Sequence, residues 1–201
     1  EKTHTLEYIL NADEVIKSPG IPDGVTLIQQ LITKKIPVIS EVEFAFRYTK
    51  AKIAAITGSN GKTTTTLLLG HVLKSAGYDV LIAGNVGVGF ALSIAERDYD
   101  YLVLELSSFQ LDGIKQFRSD VAILLNITPD HLDRYDYKLE NYAASKFRIT
   151  KNQTAQDVLI YNVDDALLNA LKTKAKRLPI SLQTQQKEGG FYNNNEITIN
   201  L

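Results

Sequence analysis

The chain has 201 residues, of which 44% are hydrophobic and 22% charged, with a formal net charge of -1 and no Cys. That is the profile of a globular chain with room for one full domain and part of another. It excludes a disulfide framework, a thiolate metal site and a global basic field for nucleic acid. No apolar run approaches the roughly 18 residues of a membrane span, and no signal-peptide pattern opens the chain. With the lack of Cys, a reducing cytoplasm is the expected compartment. The sequence starts at Glu1 and contains no Met, so it is expected to be a segment cut from a longer chain.

In chain order, residues 1–40 look like the tail of an α/β unit. "DEVIKS" (13–18) predicts a short strand, "SPGI" (18–21) a Pro-Gly turn, "GVTLIQQLITKK" (24–35) a helix and "IPVIS" (36–40) another short strand. "EVEFAFRYTKA" (41–51) is expected to be a linker, partly helical. A second unit then opens with "KIAAIT" (52–57) as a strand and "KTTTTLLLGHVLKSAG" (62–77) as a helix closed by Gly77. "DVLIAG" (79–84) is a strand followed by the turn "GNVGVG" (84–89). The near-continuous apolar runs "YDYLVLEL" (99–106) and "SDVAILLNI" (119–127) suit strands covered on both faces. "KLENYAASKFRIT" (138–150) and "DDALLNALKT" (164–173) are expected helices, and "DVLIYN" (157–162) and "RLPISL" (177–182) strands. "FYNNNEITI" (191–199) is an expected hairpin with Asn at its turn. Strand alternates with helix throughout, so the fold class is α/β with a mostly parallel sheet flanked by helices.

One junction carries chemistry. In "AAITGSNGKTTTT" (54–66) an apolar strand ends in Gly58, Ser59, Asn60 and Gly61, then a lone cation, Lys62, then hydroxyls at Thr63 and Thr64. Small residues let backbone N–H groups close on phosphate oxygens, and the start of the next helix favours an anion. Lys62 would reach the outer phosphates, and the Thr63 hydroxyl would meet Mg²⁺. The common G-x-x-x-x-G-K pattern is incomplete, because its first position is Ile56. A tight strand-to-helix turn with a solvated lysine is the bland alternative. Glu105 ends the strand "YLVLE", at the sheet edge where α/β folds place ligands, and is well placed to hold Mg²⁺ opposite Thr63.

"TGSNGKTT" (57–64) resembles the ATP loop of the Mur ligases and the related folylpolyglutamate synthases, where T-G-[ST]-N-G-K-[ST] is usual. "GNVG" (84–87), "ELSSFQL" (105–111), "NITPDHLDRY" (126–135) and "SKFRI" (145–149) look like the D-glutamate-adding branch of that family. The resemblance runs from about residue 13 to residue 182. It implies that residues 1–45 are the end of a UDP-substrate-binding domain plus linker and residues 46–201 a central ATP-binding domain. By the same resemblance a third domain is expected to fall outside the sequence, and the isolated segment is expected to be inactive. The implied activity is ATP-dependent amide-bond formation between UDP-MurNAc-L-alanine and D-glutamate through an acyl phosphate, with Mg²⁺, in a cytoplasmic monomer.

The same resemblance implies the remaining site residues. Gly20 would edge the uridine-diphosphate pocket. Asn85, Ser107 and Gln110 would line the substrate groove, although Asn85 could serve a turn and Ser107 a helix cap. His131 would contribute to a second metal site near the acyl acceptor, with Asp130 and Asp133 as flanking orienters or loop caps. Lys146 would carry a carbamate able to help bind Mg²⁺, which requires a lysine whose ammonium form is disfavoured by burial or a cationic neighbour. Its bland alternative is an exposed helical lysine. Two other functions stay open at this point: a nucleotide-binding module without ligase chemistry, and a folylpolyglutamate-synthase-like ligase.

Overall fold

The computed structural model describes residues 5–193 and 195–201. It begins with a small unit: α1 (Leu6–Leu10), β1 (Val15–Ile16), α2 (Thr26–Thr33) and β2 (Val38–Ile39). The two strands pair in parallel, Val15 with Val38 and Ile16 with Ile39, and α2 buries Ile28 and Leu31. Both strands are shorter than expected, two residues each, and the five-residue α1, which no sequence pattern announced, buries nothing. Lys17 Nζ donates to Ile21 O at 2.9 Å and pairs with Asp23, bracing the turn that holds Gly20.

The partly helical linker expected over 41–51 carries a docked helix, α3 (Glu41–Phe46), capped by Ser40. Its Val42 and Ala45 belong to the main core. Its Glu43 is fully buried, and the carboxylate accepts from the backbone amides of Lys115, Gln116 and Phe117 at 2.8, 3.0 and 2.8 Å. Glu41 accepts from Ala91 N at 2.9 Å. The boundary expected at residue 45 therefore falls inside α3, whose packing belongs to the larger unit.

That unit continues with β3 (Lys52–Thr57), α4 (Lys62–Ser75), β4 (Val80–Gly84), α5 (Phe90–Glu96), β5 (Tyr101–Glu105), α6 (Ser108–Asp112), β6 (Val121–Leu124), α7 (Leu139–Phe147), β7 (Val158–Asn162), α8 (Ala166–Asn169), β8 (Lys176–Ser181), β9 (Gly189–Asn193) and β10 (Glu196–Asn200). The sheet order is β10-β9-β8-β7-β6-β3-β5-β4, parallel except for the β9–β10 hairpin. Side chains alternate between faces as strand geometry requires. Ile53, Leu102, Leu104, Ala122 and Leu124 enter the main core, while Ile56, Val80 and Val103 meet Leu69 and Leu73 of α4 on the other face. Both faces are apolar, hence the unbroken hydrophobic runs.

Two expected elements are shorter than their sequence patterns. The strand expected over 119–127 stops at Leu124, because the Ile127 amide turns away to the Asp165 carboxylate at 2.8 Å. The helix expected over 164–173 is only Ala166–Asn169: Asp164 is drawn off to Ser181 and Leu182, and Asp165 caps the start. Helices α5 and α6 were not anticipated. At the hairpin, Asn195 adopts the left-handed region (φ 64°), and Asn194 of the expected turn lies outside the described residues.

The Glu43 cradle gives a stability test. Glu43→Ala leaves one buried and two half-buried amides without their acceptor, and the expected loss is about 2 kcal/mol or more. Glu14→Gln, which breaks only the more exposed pairing with Arg47, should cost less than about 1 kcal/mol. Urea unfolding of the two variants reads the difference, and equal midpoints would contradict it.

Candidate nucleotide-binding site

β3 lies between β5 and β6, while the chain leaves it for the far edge strand β4. The sheet's strand order reverses there, which is where α/β sheets open a crevice at the carboxyl ends of their strands. The loop Gly58–Gly61 occupies that point. Gly61 stands at φ 81°, a conformation that favours glycine, and delivers the chain into α4. The first intrahelical bond runs from Thr65 N to Gly61 O at 3.0 Å, and no side chain caps the helix. The amides of Lys62, Thr63 and Thr64 are thus left for an anion.

The loop is tied to the segment after β6. Ser59 N donates to Asn126 O and Asn60 N to Asn126 Oδ1, each at 2.9 Å. Ser59 Oγ both donates to Thr128 O and accepts from Thr128 N at 2.9 Å. Lys62 bends back onto the loop, its Nζ donating to Gly58 O at 3.0 Å and Ser59 O at 2.8 Å. Thr64 is exposed at the head of the helix.

Glu105, only 2% exposed, is the meeting point of three strand ends. Thr63 Oγ1 donates to one carboxylate oxygen at 2.7 Å and Asn85 Nδ2 to the other at 2.8 Å. Asn85 N also donates to Glu105 O at 2.8 Å. Gly84, at φ 101°, permits that approach, since a Cβ there would collide with the Glu105 carbonyl. The Thr63 hydroxyl and the Glu105 carboxylate are hard oxygens beside a helix start, and this donor set fits Mg²⁺.

Lys146 is a buried residue of α7, 2% exposed, and not a surface lysine. Its Nζ donates to Gly58 O at 2.8 Å and lies 4.6 Å from the centre of the Tyr142 ring, whose hydroxyl is 3.3 Å from Ser59 Oγ. Burial, and secondarily the Lys62 cation, push its pKa down to about 7, against the opposing charges of Asp130 and Asp112.

The other expected residues are arranged differently. Ser107 and Gln110 form a reciprocal capping box at the start of α6: Ser107 Oγ accepts from Gln110 N at 3.2 Å, and Gln110 Oε1 accepts from Ser107 N at 3.0 Å. His131 is exposed, with φ 49°, its Nε2 3.6 Å from Asp130 and its ring against Phe109 at 5.3 Å. Arg134 covers the same Phe109 ring at 4.6 Å. Among the described residues no three His, Cys, Asp or Glu side chains gather as a metal cluster. The expected metal residues fall into an intimate pair, Thr63–Glu105, and two separate groups, His131–Asp130 and Lys146–Gly58. Asp133 joins Lys17, Phe109, Asp112 and Arg134 around a polar cavity of about 320 Å³ between the small unit and α6, beside the Gly20 turn.

Sequence reasoning missed Asn126, Thr128, Tyr142 and an apolar cavity of about 500 Å³ beside the loop, walled by Asn60, Thr65, Asn126, Asn162, Ile180 and Phe191. Asn126 was hidden inside an expected strand. The cavity could not be seen, because its walls come from both ends of the unit.

The fold and the loop define a doubly wound α/β domain with a nucleotide-type phosphate loop at its switch point. The Mur ligase middle domain family matches residues 56–199. The chain belongs to the Mur ligase family. It is 51% identical over 203 residues to the UDP-N-acetylmuramoylalanine--D-glutamate ligase of Bacteroides fragilis, covering 99% of this chain and 46% of the relative. Against the ligase of that name from Bacteroides thetaiotaomicron it is 58% identical over 168 residues, 84% of this chain and 38% of the relative. The chain thus spans less than half the length of the curated relatives it matches. Among solved structures, a MurF ligase from Thermotoga maritima in complex with ADP has a TM-score of 0.57 at 20% identity, over 94% of this chain and 55% of that one. A UDP-N-acetylmuramate:L-alanyl-gamma-D-glutamyl-meso-diaminopimelate ligase from Neisseria meningitides has a TM-score of 0.62 at 15% identity, over 94% and 65%. At those identities the structures establish the shared fold.

The Lys146 environment has a direct readout. By NMR, its side chain should titrate near pH 7, well below ordinary lysines at about 10.4. Lys62→Met removes a neighbouring cation, which makes protonation easier, so the midpoint should rise. A midpoint above 9.5 in the wild type would show that the amine is solvated.

Proposed function

We propose that the full-length protein is an ATP-dependent ligase that joins D-glutamate to UDP-MurNAc-L-alanine in peptidoglycan precursor synthesis, in the cytoplasm. The observation that carries this reading is the pairing of Thr63 with Glu105 at 2.7 Å under the open start of α4, beside Lys62. The choice of substrates is supported by the names of relatives about half identical along this segment. Among the described residues no helix is long and apolar enough to cross a membrane.

ATP would lie with its phosphates over Gly58–Thr64 and its base in the apolar cavity beside Thr65 and Asn162. Lys62 leaves the loop carbonyls for the outer phosphates, which replace those carbonyls as acceptors. The substrate carboxylate attacks the terminal phosphorus and ADP departs, giving an acyl phosphate. The D-glutamate amine then adds to the acyl carbon, and phosphate leaves as the amide forms. Thr63 and Glu105 would hold Mg²⁺, which when bound neutralises phosphate charge. This chain's own contribution is positioning and electrostatics, from the helix amides and Lys62, and on the family reading Asn85, Gly20, Ser107 and Gln110 would edge the substrate groove. His131, on its exposed loop, would face the acyl acceptor.

Lys146 fits a carbamate. Its neutral amine would attack CO₂ and the nitrogen would give up one proton, leaving a carbamate anion where the amine stood. Labelled CO₂ should give a carbamate carbon signal in the full-length protein that vanishes in Lys146→Ala. A signal that persists in the variant would place the modification elsewhere.

The central test is ADP release by the full-length protein, expected only when both UDP-MurNAc-L-alanine and D-glutamate are present. Lys62→Ala should lower the rate at saturating ATP by on the order of 10²–10³. Near-wild-type turnover in that variant would sink the phosphate-loop assignment.

A further inference from the structure

The loop Gly58–Gly61 borrows its shape from one side chain. Asn126 meets Asn60 on both sides of its backbone: Oδ1 accepts from Asn60 N at 2.9 Å, and Nδ2 donates to Asn60 O at 3.0 Å. A primary amide that takes the N–H and the C=O of one residue reproduces the two-bond exchange of an antiparallel strand pair. The Asn126 backbone carbonyl takes the Ser59 amide as well, at 2.9 Å. Asn126 therefore supplies strand-like pairing to a loop that has already left the sheet.

The clasp is itself anchored. The next residue, Ile127, donates its amide to the Asp165 carboxylate at 2.8 Å, and that carboxylate also accepts from Leu167 N at 2.9 Å to cap α8. A rigid path thus runs from the start of α8, through the turn after β6, to the loop after β3. Two amides of the loop, Ser59 and Asn60, are consumed by Asn126. An incoming anion finds Lys62, Thr63 and Thr64 N–H and the Lys62 ammonium instead.

We propose that Asn126 is a positioning residue for the nucleotide phosphates. It fixes the Ser59 and Asn60 peptides so that the helix-start amides and Lys62 meet the phosphates in one geometry, without touching the nucleotide through those two amides. The inference rests on the ATP reading above. It also separates Asn126 from a residue of general structural value, since a fault confined to the loop should weaken nucleotide binding more than the binding of the other two substrates.

The test uses the full-length protein, with Kd for ADP from titration calorimetry, KM for each of the three substrates, and the thermal midpoint. Asn126→Ala removes both bonds, and ADP affinity and ATP KM should each worsen about tenfold or more, while the KM values for UDP-MurNAc-L-alanine and D-glutamate stay within twofold. Asn126→Asp keeps the shape and the acceptor but loses the donor, and ADP affinity should fall at least fivefold. A folded Asn126→Ala that binds ADP within twofold of wild type overturns the inference. So does a parallel rise in all three KM values, or failure of both variants to fold, each of which marks Asn126 as a residue of the general fold. Failure of the wild type to bind ADP would instead overturn the nucleotide reading itself.

Discussion

β3 is hydrogen-bonded on both sides, to β5 from Lys52 to Ile56 and to β6 from Ala54 to Thr57. That double pairing sets the level of everything above it. Glu105 is paired with Ile56, two residues before the loop, on one side and with Gly84 on the other, so its carboxylate stands beneath the loop, between Thr63 and Asn85. Leu106 N reaches Ile56 O at 2.8 Å and Leu125 N reaches Thr57 O at 3.0 Å, extending the register to the mouth of the crevice. A one-residue slip of β5 would turn Glu105 to the opposite face and put an apolar side chain under the loop. Because both faces of these strands are buried, the slip would also invert two core layers, so packing and site geometry are one constraint.

Charge at the site is handled locally. The chain as a whole is nearly neutral, yet two lysines share the carbonyl of Gly58, Lys62 at 3.0 Å and Lys146 at 2.8 Å. Burial above all, with the nearby Lys62 cation second, moves Lys146 toward its neutral form. Lys62, half-buried at the mouth of the crevice, donates to the loop carbonyls of Gly58 and Ser59 until an anion arrives. Tyr142 serves both sides, its ring facing Lys146 and its hydroxyl meeting Ser59. The arrangement couples α7 to the loop across the sheet end, so the spacing between the two cations follows from how α7 docks.

The small unit reaches this site through rigid contacts. α3 is held by Glu43 in a cradle of three amides just after α6, and Ser40 N donates to Gly113 O at 3.1 Å. Arg47 then joins Glu43 to Glu14 beside β1. The polar cavity between Lys17 and Phe109 therefore has walls braced on both sides. His131 and Arg134 both rest on Phe109, so α6, begun by the Ser107–Gln110 cap, also carries the loop after β6.

What the sequence determined by itself was local. Apolar runs marked most strands, helical spacing marked α2, Gly77 marked the end of α4, and "TGSNGKTT" marked the phosphate loop, because strand end, glycine turn and helix start are consecutive in the chain. The Ser107 cap was legible as one alternative for the same reason, its partner being three residues away. Tertiary structure alone decided the rest. Lys146 meets Gly58 across 88 positions, Asn126 meets Asn60 across 66, and Glu43 meets Lys115 across 72. Whether a helical lysine is solvated or buried, whether a residue after a strand continues it or clasps a loop, and whether a linker is free or docked all depend on which distant backbone groups lack partners. Those partners are chosen only when the sheet closes, since a buried amide or carbonyl must be satisfied by whatever polar group the fold brings to it.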